Sequence, residues 1–141
     1  MDLAQLDSKK KAEAGVRMNL VHPATGEDMT TFVEVLGTDS STWQNMVRED
    51  LLKNVNKKSN KKIATEEDAI RIEKDIVIKL ARMIKCFGDV EEKGKEVSYI
   101  LFEGDKLKYS EDNAVKLLEA LPWFKEQLNI FIGDRSNFLA D

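Results

Sequence analysis

VRMNLVHPATGEDMTTFVEVLGTDSS, residues 16–41, changes its pattern three times within one short stretch. Val16, Met18 and Leu20 alternate with Arg17 and Asn19, the two-residue period of a half-buried strand. His22-Pro23-Ala24-Thr25-Gly26-Glu27-Asp28 interrupts it. Pro23 fixes φ and Gly26 accepts positive φ, so the chain turns here. Thr30, Thr31, Phe32, Val33 and Val35 then form a β-branched and aromatic run over 30–36, which returns as a second strand. Asp39, Ser40 and Ser41 are all good N-cap residues, and a helix follows them. A β-hairpin that feeds an amphipathic helix predicts an α+β chain.

The later sequence adds mostly helices. Trp43, Met46, Val47, Leu51 and Val55 recur at three- and four-residue steps. The strongly basic run at 57–62 breaks that pattern and reads as an exposed inter-helix loop. Thr65 can cap a second helix, with Glu66, Glu67 and Asp68 complementing its positive end. That helix has a wide apolar arc from Ala69 and Ile72 through Ile76, Leu80 and Met83 to Ile84, and is expected to be the spine of the core. Residues 87–94 are Gly- and acid-rich and read as a loop. Residues 97–102 and 106–109 suggest a second hairpin around Glu103-Gly104-Asp105. Ser110 opens a third helix, and Pro122 suits the first turn of a fourth. The expectation is one helix-dominated α+β domain over 16–141. It has four main helices and two small hairpins joined in a sheet of open strand order. Residues 1–15 are expected to form a flexible arm ending at Gly15.

Length and composition exclude more than they assign. At 141 residues the chain can bury a core without metals or disulfides. A net charge of −4 argues against a dedicated duplex-DNA binder. One cysteine, Cys86, permits no internal disulfide, so a reduced cytoplasmic setting is expected. No apolar signal core or membrane-spanning stretch is visible. A lone histidine, His22, lies in a turn far from Cys86, so neither a transition-metal site nor a nucleophile–base pair is expected. Cys86 reads as a structural thiol. No glycine pattern forms a phosphate cradle. No cofactor and no enzymatic activity are expected.

The final third carries a more specific signal. Tyr109-Ser110-Glu111-Asp112-Asn113-Ala114 leads through Leu117-Leu118 to Pro122-Trp123-Phe124 and Glu126-Gln127-Leu128. Phe131-Ile132-Gly133-Asp134-Arg135-Ser136-Asn137-Phe138-Leu139 follows. This segment resembles the C-terminal part of the tail assembly chaperones of long-tailed phages and prophages. Leu20-Val21-His22-Pro23-Ala24-Thr25-Gly26-Glu27 and Val35-Leu36-Gly37-Thr38-Asp39-Ser40 are similar to that family's opening. Between about residues 51 and 97 nothing specific matches.

The resemblance implies a non-enzymatic assembly factor. Such a protein binds the helical tape measure protein before the tail tube polymerises, keeps its apolar segments soluble and passes them to the tail tube protein. It is absent from the finished particle. Trp123, Phe124, Phe131 and Phe138 are the candidate partner-binding residues, because aromatics dominate binding hot spots. Phe124 and Phe131 follow the helix's apolar stripe and fit core packing better. Trp123 and Phe138 lie off its centre and are the better interface candidates. Met18, Met29, Met46 and Met83 would offer an adaptable surface if exposed. Self-association is a further partner expectation, and no membrane contact is expected. The rival readings are a structural tail component, such as a completion or connector protein, and a small nucleic-acid-binding regulator using the lysines at 57–62.

Overall fold

The first hairpin forms as its alternation requires. In this computed structural model, which describes residues 2–56 and 65–139, β1 (Val16–Val21) pairs antiparallel with β2 (Asp28–Val35). Val16 lies opposite Val35, and Met18 opposite Val33. Met18, Leu20, Val33 and Val35 are buried in the core. Arg17, Asn19, Phe32 and Glu34 take the other face by the same period. Phe32 is nonetheless buried there, because the Arg17 guanidinium lies 3.9 Å above its ring. The turn is closed by Gly26 N–H donating to His22 O at 2.9 Å. His22 Nδ1 accepts from the N–H groups of Ala24 and Thr25, so this histidine holds its own turn.

A third strand corrects the sequence reading. β3 (Ile84–Val90) pairs antiparallel with β2 in the stretch read as a helix end and a loop. β4 (Glu96–Val97) pairs with its far end, giving the order β1-β2-β3-β4. The apolar arc of the preceding helix runs into Ile84 without a breaker, so local pattern alone cannot end the helix there. Pairing with β2 ends it instead, as tertiary context overrides weak propensity. Gly88 sits where the backbones crowd. A Cβ at this position would lie 2.3 Å from Val97 O and 2.8 Å from a Phe32 ring atom.

The second hairpin, β5 (Tyr99–Phe102) and β6 (Asp105–Lys108), forms a separate two-stranded sheet. The expected joining of both hairpins in one sheet therefore does not occur. Its turn places Glu103 and Gly104 at positive φ, as a tight two-residue hairpin needs. Tyr109 O–H donates to Ile84 O at 2.6 Å and ties this hairpin to β3.

Helices α2 (Ser41–Asn56), α3 (Glu66–Met83), α4 (Glu111–Ala120) and α5 (Pro122–Gly133) fall where expected. Thr65 and Ser110 accept from the N–H groups of Asp68 and Asn113 as N-caps. Ser40 bridges the entry to α2, donating to Gly37 O and accepting from Trp43 N–H. Leu80, Ala81 and Met83 of α3 meet Ala114, Leu117 and Leu118 of α4, and Phe124, Leu128 and Ile132 of α5, in one apolar core with the first hairpin. Only the C-terminal half of α3 is buried, so it forms the spine from Val77 onward. The result is a single-domain α+β fold.

Residues 8–15 do not hang free as a mobile arm. Lys9–Ala14 forms helix α1, with Ala12 fully buried. Ala12 O accepts from Gly37 N–H, Glu13 accepts from Ser41, and Ala14 O accepts from Lys85 Nζ. Ala12, the buried residue of α1, anchors this polar segment. The basic run at 57–62 lies outside the described residues.

Candidate partner-binding surface

The two segments that carry the resemblance are distant in sequence and interlocked in space. Gln127 Oε1 accepts from Val21 N–H at 2.9 Å, and its Nε2 donates to Val21 O at 2.7 Å. The side chain thus acts as a short strand partner, and it covers the end of edge strand β1. Arg135 forms a two-pronged pair with Asp39, at 2.9 Å and 3.2 Å. Ser8 O–H donates to the same carboxylate. These donors, Arg135 first, hold the Asp39 carboxyl below its usual range. Phe138 lies over Gly37, where a Cβ would stand 3.1 Å from its ring and 2.8 Å from Ala12 Cβ. Asn137 Nδ2 donates to Phe131 O at 3.0 Å, and Asp134 caps the short 3-10 turn Arg135–Phe138. Most of the matched polar residues therefore have a structural task.

This placement corrects two of the four aromatic candidates. Phe138 is buried, packed edge-on against Phe131 with ring centres 5.9 Å apart. Phe124 is buried in the core, as its stripe position suggests. Phe138 lines no described cleft, and Phe124 reaches only the wall of the cleft beside Trp123. Phe131 is half-buried beside Phe138. Trp123 is half-buried and packs edge-on against Phe124 at 6.2 Å. Of the four candidate methionines, Met18, Met46 and Met83 are buried and Met29 is half-buried, so Met29 alone of the four meets the condition of exposure in part.

Trp123 and Met29 meet at one cleft of about 130 Å³. Leu20 and Thr31 of the first hairpin, Leu117 and Leu121 of α4 and its end, and Leu101 and Phe102 of β5 also line it. Leu101 stands 62% exposed at its rim. The volume is below the roughly 300 Å³ at which small-molecule sites begin. It suits an inserted apolar side chain, the kind of anchor a helical partner offers. Leu101 was absent from the sequence candidates, and Met29 was named only among the methionines. The alternation Ile100-in, Leu101-out within the second hairpin was the signal that marks Leu101.

Reactive chemistry is not assembled nearby. Cys86 Sγ donates to Glu34, and burial, with that acid second, pushes its thiol up to about 11. A thiol held so high is a poor nucleophile at neutral pH. Among the described residues, no group of three His, Cys, Asp or Glu side chains could hold a metal ion. No helix among them is long and apolar enough to cross a membrane. Comparison with protein-family models, curated proteins and solved structures finds no match to the chain.

Proposed function

We propose that the chain is a tail assembly chaperone of a long-tailed phage or prophage, a non-enzymatic factor that binds the tape measure protein and promotes assembly of the tail tube around it. The observation that carries this reading is the apolar cleft at Trp123. Both segments that resemble the family contribute to its walls, Leu20 from one and Leu117, Leu121, Trp123 and Phe124 from the other, beside residues outside them such as Met29, Asp89 and Leu101. A helical client with apolar anchors every three or four residues fits such a surface. Trp123 gives a large contact area at low entropic cost. The client stays soluble while its anchors are covered, and the tail tube protein then displaces the chaperone. The protein is accordingly absent from finished particles and acts in the host cytoplasm.

Co-expression with the tape measure protein tests this. A soluble complex that replaces an insoluble tape measure is the expected result. Trp123→Ala and Leu101→Ala should abolish co-purification with the fold retained. No complex between two folded proteins, together with the chain's recovery from purified particles by mass spectrometry, would make it a structural tail component instead.

A further inference from the structure

The apolar face of α3 extends beyond the body it packs on. From Val77 to Met83 that face is buried. Toward the N-terminus Ile70, exposed at 58%, lies on one flank, while the opposite flank, which carries Lys79, continues through Ile76 and Ile72, both exposed. Beside it α2 exposes Val47, Leu51 and Leu52, the last two at 61% and 59%. The two helices are clamped together by Lys79, which bridges Asp50 at 2.5 Å and Asp75 at 2.9 Å. On its own flank Ile70 lines an open depression of about 370 Å³ with Val77, Leu118 and Pro122 and the charged Glu73, Lys74, Glu119 and Lys125. An amphipathic pattern that continues past its own core marks a surface meant for another helix.

The charges on these faces differ in sign. On α3, Asp68 is taken by Arg71, and Lys79 is shared between Asp75 and Asp50 of α2, leaving Glu66, Glu67, Glu73 and part of the Asp75 charge against Lys74. On α2, Asp50 is taken by Lys79, leaving Arg48 and Lys53 against Glu49. Asp75 aside, none of those seven has an ion pair among the described residues. The α3 face is left acidic and the α2 face basic. The two halves of one surface are thus complementary to each other, the condition for an isologous two-fold contact. The five apolar side chains Val47, Leu51, Leu52, Ile72 and Ile76 offer on the order of 500 Å², a large part of the roughly 800 Å² per partner of a standard interface.

We propose that the exposed faces of α2 and α3 pair with a second copy of this chain, α2 of one copy lying along α3 of the other and the reverse. This contact does not depend on the chaperone reading. Packing α3 on α3 would instead bring Glu66, Glu67 and Glu73 together and is disfavoured.

Light scattering and analytical ultracentrifugation over a dilution series test the contact. The wild-type chain is expected at twice its 16.1 kDa at high concentration. Arg48→Glu with Lys53→Glu makes both faces acidic, and Glu67→Lys with Glu73→Lys makes both basic. Each variant alone should dimerise at least about tenfold more weakly. Mixing the two variants should restore the doubled mass, because each then meets its opposite. Leu51→Gln with Ile72→Gln, which alters no charge, should weaken the dimer too. Circular dichroism confirms the fold of each variant. A wild-type chain that is monomeric throughout, a dimer indifferent to these changes, or a mixture that stays monomeric overturns the proposal. A monomer that uses this face only to bind a client helix overturns it equally.

Discussion

Gln127 shows how one side chain can finish a sheet. It satisfies both backbone groups of Val21, which an edge strand would otherwise expose. Gln127→Ala removes two hydrogen bonds at a half-buried site and should cost about 1–2 kcal/mol in urea unfolding, with an unchanged m-value. Asp39 gives a pH signature. Its folded carboxyl is held below the ordinary value of 3.8, first by Arg135 and then by Ser8. Its contribution is therefore complete above that ordinary value and is lost as pH falls through the lowered folded one. Arg135 is largely exposed, so solvent keeps the effect modest. Asp39→Asn should flatten the acid limb of the stability–pH curve and leave the region above pH 7 parallel to wild type, as thermal melts across pH would show. Phe138→Ala, in contrast to Trp123→Ala, should cost about 3–5 kcal/mol in the same urea assay, because it empties a fully buried site.

Among the elements, Gly88 has the least freedom. A methyl there meets backbone at Val97 O, which cannot swing aside as a side chain would. Gly88→Ala should separate β4 from β3 and destabilise the protein by about 2 kcal/mol or more, read by denaturation and by faster amide exchange at residues 96–97. The same residue explains where sequence reading failed. Beside Asp89, Gly88 looked like loop chemistry, but its real reason is the close approach of two strands. That reason lies in Phe32, far away in the chain, and in Val97 on the next strand. Capped helices were legible because Thr65, Ser110 and Pro122 act on their own neighbours. The first hairpin was legible because one of its faces is solvated and its period is clean. Phe138 was misread as surface because a helical stripe was extended through Asp134, where the chain actually enters a 3-10 turn and folds back on Gly37. The Trp123 cleft was half legible: its aromatic stood out, while Leu101 and Met29 reach it only through the packing of separate hairpins.

Taken whole, the molecule joins its beginning to its end. Helix α1 docks through Ala12, Glu13 and Ser8, and the turn ending in Phe138 covers the same place. Removing residues 2–14 should therefore lower the melting temperature by several degrees and expose Phe138 to solvent, which removal of a free arm would not do. This closure also governs the order in which the native state is reached. Val21 and Gln127 are 106 residues apart, and Asp39 and Arg135 are 96 apart. Closing such a loop costs roughly 2–3 kcal/mol more than closing a hairpin turn, by the logarithmic growth of loop entropy. The first hairpin can therefore form in microseconds, while the C-terminal helices must find it across most of the chain. Gln127 and Arg135 are expected to seat after the rate-limiting barrier; their removal should then speed unfolding in stopped flow and leave the refolding arm of the chevron almost unmoved.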